Sequence, residues 1–134
     1  MAKKKVHKTL EFFLPFPDSM LSPNKMAHWA KKAKAKKLYK SACCALTYQA
    51  NTNRYCNIEG KVTVRFTFYP PDNRRYDEDN LIARMKAGID GIATAIKTDD
   101  SQFHYAPIKI CAPMPPFGTV KVKLCFLPPT KTDK

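Results

Sequence analysis

Hydrophobic and polar residues alternate most regularly between Lys61 and Tyr69. Val62, Val64, Phe66 and Phe68 are separated by Thr63, Arg65 and Thr67, a period of two that predicts a half-buried strand, stopped by Pro70-Pro71. The same alternation predicts a strand over 119–127, where Val120, Val122, Leu124 and Phe126 face one way and Thr119, Lys121, Lys123 and Cys125 the other. Residues 6–14 predict a first strand, closed by Pro15 and Pro17, and 104–111 a further one. Two segments have a helical period instead. Residues 23 to about 50 are rich in Ala, Lys and Leu, with no Gly or Pro after Pro23. They predict a helix with Ser22 at its N-cap and Pro23 in its first position. Residues 78–97 place Leu81, Ile82, Met85, Ile89, Ile92 and Ile96 on one apolar stripe. Gly88 and Gly91 interrupt that helix and would admit the close approach of another element.

The order is therefore strand, helix, strand, helix, strand, strand. Amphipathic helices beside one-faced strands predict an α+β fold: roughly four strands in a mixed sheet, with two helices packed on one face. The strands at 61–69 and 104–111 are expected to be parallel neighbours joined by a right-handed helical crossover, and the Pro-rich link 113–118 to make a wide antiparallel connection. The 134 residues make one domain, with 1–5 and 128–134 expected to fray.

Charge changes this picture. Lys and Arg number 24 against 11 Asp and Glu, a net +13. The charge is also segregated. The window 72–100 holds seven of the acids (Asp72, Asp77, Glu78, Asp79, Asp90, Asp99 and Asp100) and five bases, leaving 19 bases against four acids elsewhere. A basic body suits a polyanion, because surface Lys and Arg release counterions from nucleic acid. Hydrophobic residues at 44% exclude a disordered basic tail. No apolar run approaches the roughly 20 residues of a membrane-spanning helix, and no signal-peptide core follows the basic start, so a cytoplasmic protein without membrane contact is expected. Five cysteines without Cys-x-x-Cys spacing predict reduced thiols rather than a disulfide framework or structural zinc.

The acids have two readings. Asp77, Glu78 and Asp79 open the second helix, where they suit the N-cap and the helix dipole, and Asp99-Asp100 suits a turn. Alternatively, Asp77, Asp79 and an aspartate from elsewhere make a hard oxygen site for Mg²⁺ or Mn²⁺, a cation that can activate water and neutralise a phosphodiester. Parallel strands at 61–69 and 104–111 would hold Asp77 and Asp100 a helix length apart, unless the chain after Asp100 turns back. Asp79, Lys86, Asp90 and Lys97 fall within about 40° on the helical wheel. Lys86 thus forms either an i,i+4 pair with Asp90 or an ammonium aimed at phosphate. Lys25, Lys31, Lys32, Lys34, Lys36, Lys37 and Lys40 crowd the first helix, as a solvated face or as phosphate contacts that position DNA without reading its sequence. His28 and Trp29 are expected to be packing residues.

Several of these segments together resemble one family. Arg74-Arg75-Tyr76-Asp77-Glu78-Asp79-Asn80-Leu81, then Lys86 and Asp90-Gly91-Ile92, then Asp99-Asp100-Ser101-Gln102-Phe103, resemble the RusA family of Holliday junction resolvases. Leu21-Ser22-Pro23-Asn24 with His28-Trp29 is similar to the amino-terminal part of phage-type members. The likeness covers about residues 10–127. It implies a homodimer of mixed α/β fold that cuts four-way DNA junctions by paired symmetric nicks, with Mg²⁺ or Mn²⁺ as cofactor. It implies Asp77, Asp79 and Asp100 as catalytic, metal-binding acids and Lys86 as the catalytic lysine. Lys31, Lys32, Lys34, Lys36, Lys37, Arg74 and Arg75 are the expected DNA contacts. The family pattern places its lysine four residues after the second aspartate, which here is Ala83. Lys86 matches with three extra helical residues, an alignment that Asp90 supports. The alternatives from other classes are a basic, non-catalytic DNA-binding protein with structural acids, and a nucleotide-sugar transferase using its Asp-x-Asp metal motif.

Overall fold

A computed structural model describes residues 8–23, 25–56 and 60–126. The expected frayed ends, Val6 and Leu127 of the outer strands, and Asn24 lie outside the described residues. The elements are β1 (Lys8–Pro15), α1 (Trp29–Ala50), β2 (Val62–Tyr69), α2 (Glu78–Arg84), α3 (Lys86–Ala95), β3 (Phe103–Tyr105), β4 (Lys109–Ile110) and β5 (Thr119–Phe126). The fold is α+β, with a mixed sheet in the order β1-β5-β2-β3 and β4 also paired to β2.

Alternation decides the sheet's two faces, because successive strand side chains point to opposite sides. Leu10, Phe12 and Leu14 of β1, Val62, Val64, Phe66 and Phe68 of β2, and Val120, Val122, Leu124 and Phe126 of β5 are all buried in one core. Phe12 pairs with Val122, which pairs in turn with Phe66, so three strands present apolar side chains in one row. Full burial of each such side chain stabilises the fold by about 1.5–3 kcal/mol. The helices cover this face through Tyr39 and Cys43 of α1, Leu81 of α2, and Ile89, Ile92 and Ala93 of α3. Glu11, Arg65 and Lys123 lie on the open face.

The expected parallel neighbours are found: Val62 pairs with Phe103 and Val64 with Tyr105. The strand expected at 104–111 is two short ones, both beside β2. Among the described residues the sheet therefore has five strands where roughly four were expected, although β3 and β4 occupy one edge position in succession. The 113–118 link carries the chain across the end of β2, from β4 on one side to β5 on the other. The Met114 N–H donates to the Pro70 carbonyl at 2.8 Å there.

Two helix boundaries differ from expectation. The first helix starts at Trp29, not Pro23. Ser22 is not its cap: its hydroxyl accepts from Asn80 Nδ2 at 2.8 Å and its carbonyl from Lys32 Nζ at 3.0 Å. His28 caps instead, its Nδ1 accepting from the Ala30 N–H at 3.2 Å. The second helix is two, so three α-helices stand among the described residues where two were expected. At Met85 the backbone N–H is shared between the carbonyls of Leu81 and Ile82, which tightens the last turn of α2 where α3 begins.

Gly88 and Gly91 do admit a neighbour. A Cβ on Gly88 would stand 2.7 Å from Tyr39 Cε2, and one on Gly91 would collide with the Lys40 carbonyl oxygen and stand 2.9 Å from Cys44 N. The backbones of α1 and α3 therefore nearly touch. Tyr39, buried at this crossing, donates its hydroxyl to the Pro15 carbonyl at 2.6 Å. Burial pushes the neighbouring Cys43 thiol up to about 12. The described cysteines are free, as expected.

Candidate nucleic-acid interface and carboxylate groups

The turn after β2 is built before the acids begin. Asp72 accepts from the Tyr76 hydroxyl at 2.8 Å and from Arg74 N and Nε, each at 3.2 Å, and its other oxygen pairs with Arg74 Nη2 at 3.2 Å. The Tyr76 hydrogen bond is the main cause that holds the Asp72 carboxyl below its ordinary range. Arg74 is thus engaged within its own turn, although its side chain remains 72% exposed. Arg75 is exposed in the same loop.

Asp77 is the N-cap of α2, its Oδ2 accepting from the Asn80 N–H at 3.2 Å. Asp77, Glu78 and Asp79 are exposed and line a shallow depression with Arg75 and Tyr76. Asn80, the last residue of the Asp-Glu-Asp-Asn run, holds structure together. It donates to Ser22 Oγ at 2.8 Å and accepts from Arg84 Nε at 3.0 Å, while Arg84 Nη1 donates to the Pro17 carbonyl at 3.2 Å.

Asp100 lies elsewhere. The helical pair α2–α3 runs back from the end of β2 to its start, about 27 Å for 18 residues. β3 then restarts beside Val62. Asp99 caps the short turn Asp100–Gln102, with its Oδ1 accepting from the Ser101 N–H at 3.3 Å. Asp100 stands with Asp99, Asp90 and the Tyr105 phenol. The structure therefore does not join Asp100 to Asp77 and Asp79. It makes two carboxylate groups, Asp77 with Asp79 at the start of α2 and Asp100 with Asp99 and Asp90 toward the far end of α3.

The second group is electrostatically uneven. Partial desolvation, then the hydrogen bond with Asp99 and the charge of Asp90, hold the Asp100 carboxyl above its ordinary range. Hydrogen bonds from Ser101 hold Asp99 below it. An acid whose folded value is raised binds its proton more tightly when folded. Its contribution to stability is present below its unfolded value and is lost as pH rises through the folded one. Carboxyl-carbon NMR titration should find Asp100 titrating above Asp99, and Asp90→Asn should bring Asp100 down. Asp100 titrating below Asp99 would contradict the pairing.

Mg²⁺ requires several oxygen ligands in near-octahedral geometry. Among the described residues, no group of three or more His, Cys, Asp or Glu side chains is placed to hold a metal ion. Mg²⁺ is commonly held by one or two carboxylates, with water and substrate phosphate completing its shell, and the exposed Asp77 and Asp79 are such donors.

The lysines, in contrast, are brought together. A groove of about 530 Å³ runs between α1 and the α2–α3 pair. Lys32, Lys36, Lys37 and Lys40 line one wall; Arg84, Lys86 and Asp90 line the other. Aliphatic lysine stems can cover apolar surface while their ammonium heads stay wet. Lys86 is exposed and, among the described residues, makes no ion pair with Asp90, so the helical i,i+4 pair is not formed. Lys31 and Lys34 are exposed on α1 but do not line this groove. Trp29, expected to pack, is 75% exposed and stacks on His28 with ring centroids 5.8 Å apart.

Lys40, Arg84 and Asp90 join this groove although none was among the expected DNA contacts. Lys40 was findable, since it continues the i,i+4 row of Lys32 and Lys36. The Asp90–Asp100 pairing was not, because it depends on where β3 restarts. Among the described residues, no helix is long and apolar enough to cross a membrane.

No family model matches the chain. It is similar to an uncharacterized protein of Xylella fastidiosa (strain Temecula1), with 35% identity over 96 residues that span 71% of this chain. The matched stretch is 63% of that protein, so the chain covers less than two thirds of its relative's length.

Proposed function

We propose that this chain is a structure-specific endodeoxyribonuclease of the RusA type, which resolves four-way DNA junctions by paired symmetric nicks in recombination and repair. The observation that carries this reading is the groove. It sets four lysines of α1 opposite Lys86 on the very helices that bear the acidic motif. A cationic groove of this kind suits DNA phosphates, and Lys86 would face a phosphate lying in it. The separation of Asp77 and Asp79 from Asp100 gives the homodimer a chemical purpose. A Mg²⁺ or Mn²⁺ ion expected at these three acids would need donors from two chains, and a two-fold dimer repeats such a site twice. Two equivalent sites suit two symmetric cuts.

The test is incubation of the protein with a synthetic four-way junction in Mg²⁺ or in EDTA. Paired nicks are expected at symmetric positions with Mg²⁺, and none with EDTA. Binding without cleavage under either condition would favour the second reading, a basic DNA-binding protein with structural acids. One observation supports that reading: Asp77 and Asp99 both serve as caps. Neither binding nor cleavage would overturn both.

A further inference from the structure

The lysine groove does not end at Asp90. A second depression of about 650 Å³ shares Lys37 and Lys40 with it and continues along the same seam to Tyr48 and Lys97. A third, of about 110 Å³, shares Tyr48, Ala95 and Lys97 with the second and reaches Arg54. The three form one continuous track between α1 and α3. From Lys32 to Tyr48 it follows about 24 Å of helix. That length matches about seven base-pair rises of duplex.

The far end of this track is built at a conformational cost. Arg54 and Lys97 have φ of 55° and 56°, and they are the non-glycine residues with positive φ among those described. For an L-residue the left-handed region is unfavourable, and glycine normally fills it. Lys97 sits where a helix conventionally ends on glycine: Thr98 N–H donates to the Ala93 carbonyl at 3.0 Å and Lys97 N–H to that of Thr94 at 3.3 Å. Arg54 is oriented as well as strained. Its Nη1 donates to the Tyr48 hydroxyl at 2.7 Å, and its guanidinium lies 5.5 Å from the centre of the Tyr48 ring. Both strained positions thus carry a cation, and both cations line the same small depression. Glycine would serve the backbone at either position at least as well, so the cationic side chains are what these two positions add.

We propose that the α1–α3 seam is a track for the phosphate backbone of one duplex DNA arm, ending at a phosphate-binding station made by Lys97 and the Tyr48-oriented Arg54. This rests on the junction-nuclease reading and extends the contact surface along α1 and α3 to the far end of their seam. Lys97 and Arg54 hold phosphates distant from any cut. They contribute affinity and fix the arm's direction rather than its sequence, as phosphate contacts do.

The test measures four-way-junction affinity by fluorescence anisotropy over a range of salt, for the wild type, Lys97→Gly and Arg54→Gly. Each variant should melt no lower than the wild type, because glycine relieves the left-handed strain. Each should bind several-fold more weakly and lower the slope of log K against log salt by about one, the signature of one lost phosphate contact. Tyr48→Phe, which keeps the ring but not the hydroxyl, should weaken binding less than Arg54→Gly. If both glycine variants keep the wild-type salt slope, the station is overturned while the nuclease reading stands. If the wild type shows no salt-dependent binding to the junction, both fall. Glycine variants that melt well below the wild type would assign Lys97 and Arg54 to stability and also overturn the station.

Discussion

Asp79→Asn is expected to lower nicking of a four-way junction by about three orders of magnitude and to leave junction affinity unchanged or tighter. The magnitude follows from the several kcal/mol that a correctly held divalent cation contributes to a phosphodiester transition state, at about 1.4 kcal/mol per tenfold in rate. Asp79 is the best of the acids to test. It caps no helix, whereas Asp77 caps α2 and Asp99 caps the turn before β3. Asparagine is nearly isosteric, so melting temperature should not change. Removing a negative charge beside a cationic surface also lessens repulsion of DNA, which is why tighter binding is expected. Nicking at the wild-type rate by Asp79→Asn would remove this residue from the site.

Gly91→Ala should destabilise the fold by about 3 kcal/mol, within the range for overpacking a tight contact. The sign is the informative part. At an exposed position inside a helix, replacing glycine by alanine stabilises by about 1 kcal/mol. Here the new methyl group would meet backbone atoms of α1, the Lys40 carbonyl and the Cys44 amide, which cannot swing aside as a side chain can. Gly88→Ala should cost less, since its closest neighbour is the edge of the Tyr39 ring. Chemical denaturation of the two variants beside the wild type checks both statements. A stabilised Gly91→Ala would show that α1 and α3 do not approach as closely as described. Because the lysine track lies along this contact, Gly91→Ala should also weaken DNA binding at temperatures where the variant remains folded.

These two residues show where sequence reading stops. The glycines stood out at once as breaks in an apolar stripe, and close approach was the natural expectation. Which helix approaches, and that its own carbonyl makes the contact, came from the packing. The acids behave in the same way. The Asp-x-Asp at the start of α2 is visible in the chain, and so is Asp99-Asp100. Their separation follows from parallel pairing of β2 with β3, which sends the helices back along the sheet before the next strand begins. Ser22 misled for a related reason. Ser-Pro is a good local start for a helix, but the Ser22 hydroxyl is taken by Asn80, 58 positions away, and the helix begins at Trp29 instead.

What depends on a short period or on composition is legible along the chain itself. Strand alternation decides which residues of β2 and β5 are buried, and the charge balance decides that the molecule is basic outside one acidic window. Both are local properties, legible because side-chain direction repeats every two residues in a strand and every 3.6 in a helix. Which charges meet is settled by packing between distant segments. Lys86 faces the lysines of α1 because two glycines let the helix backbones touch. Asp100 joins Asp90 rather than Asp77 because β3 restarts at the beginning of β2. Each outcome depends on contacts between residues far apart in the chain, and no period along one segment encodes them.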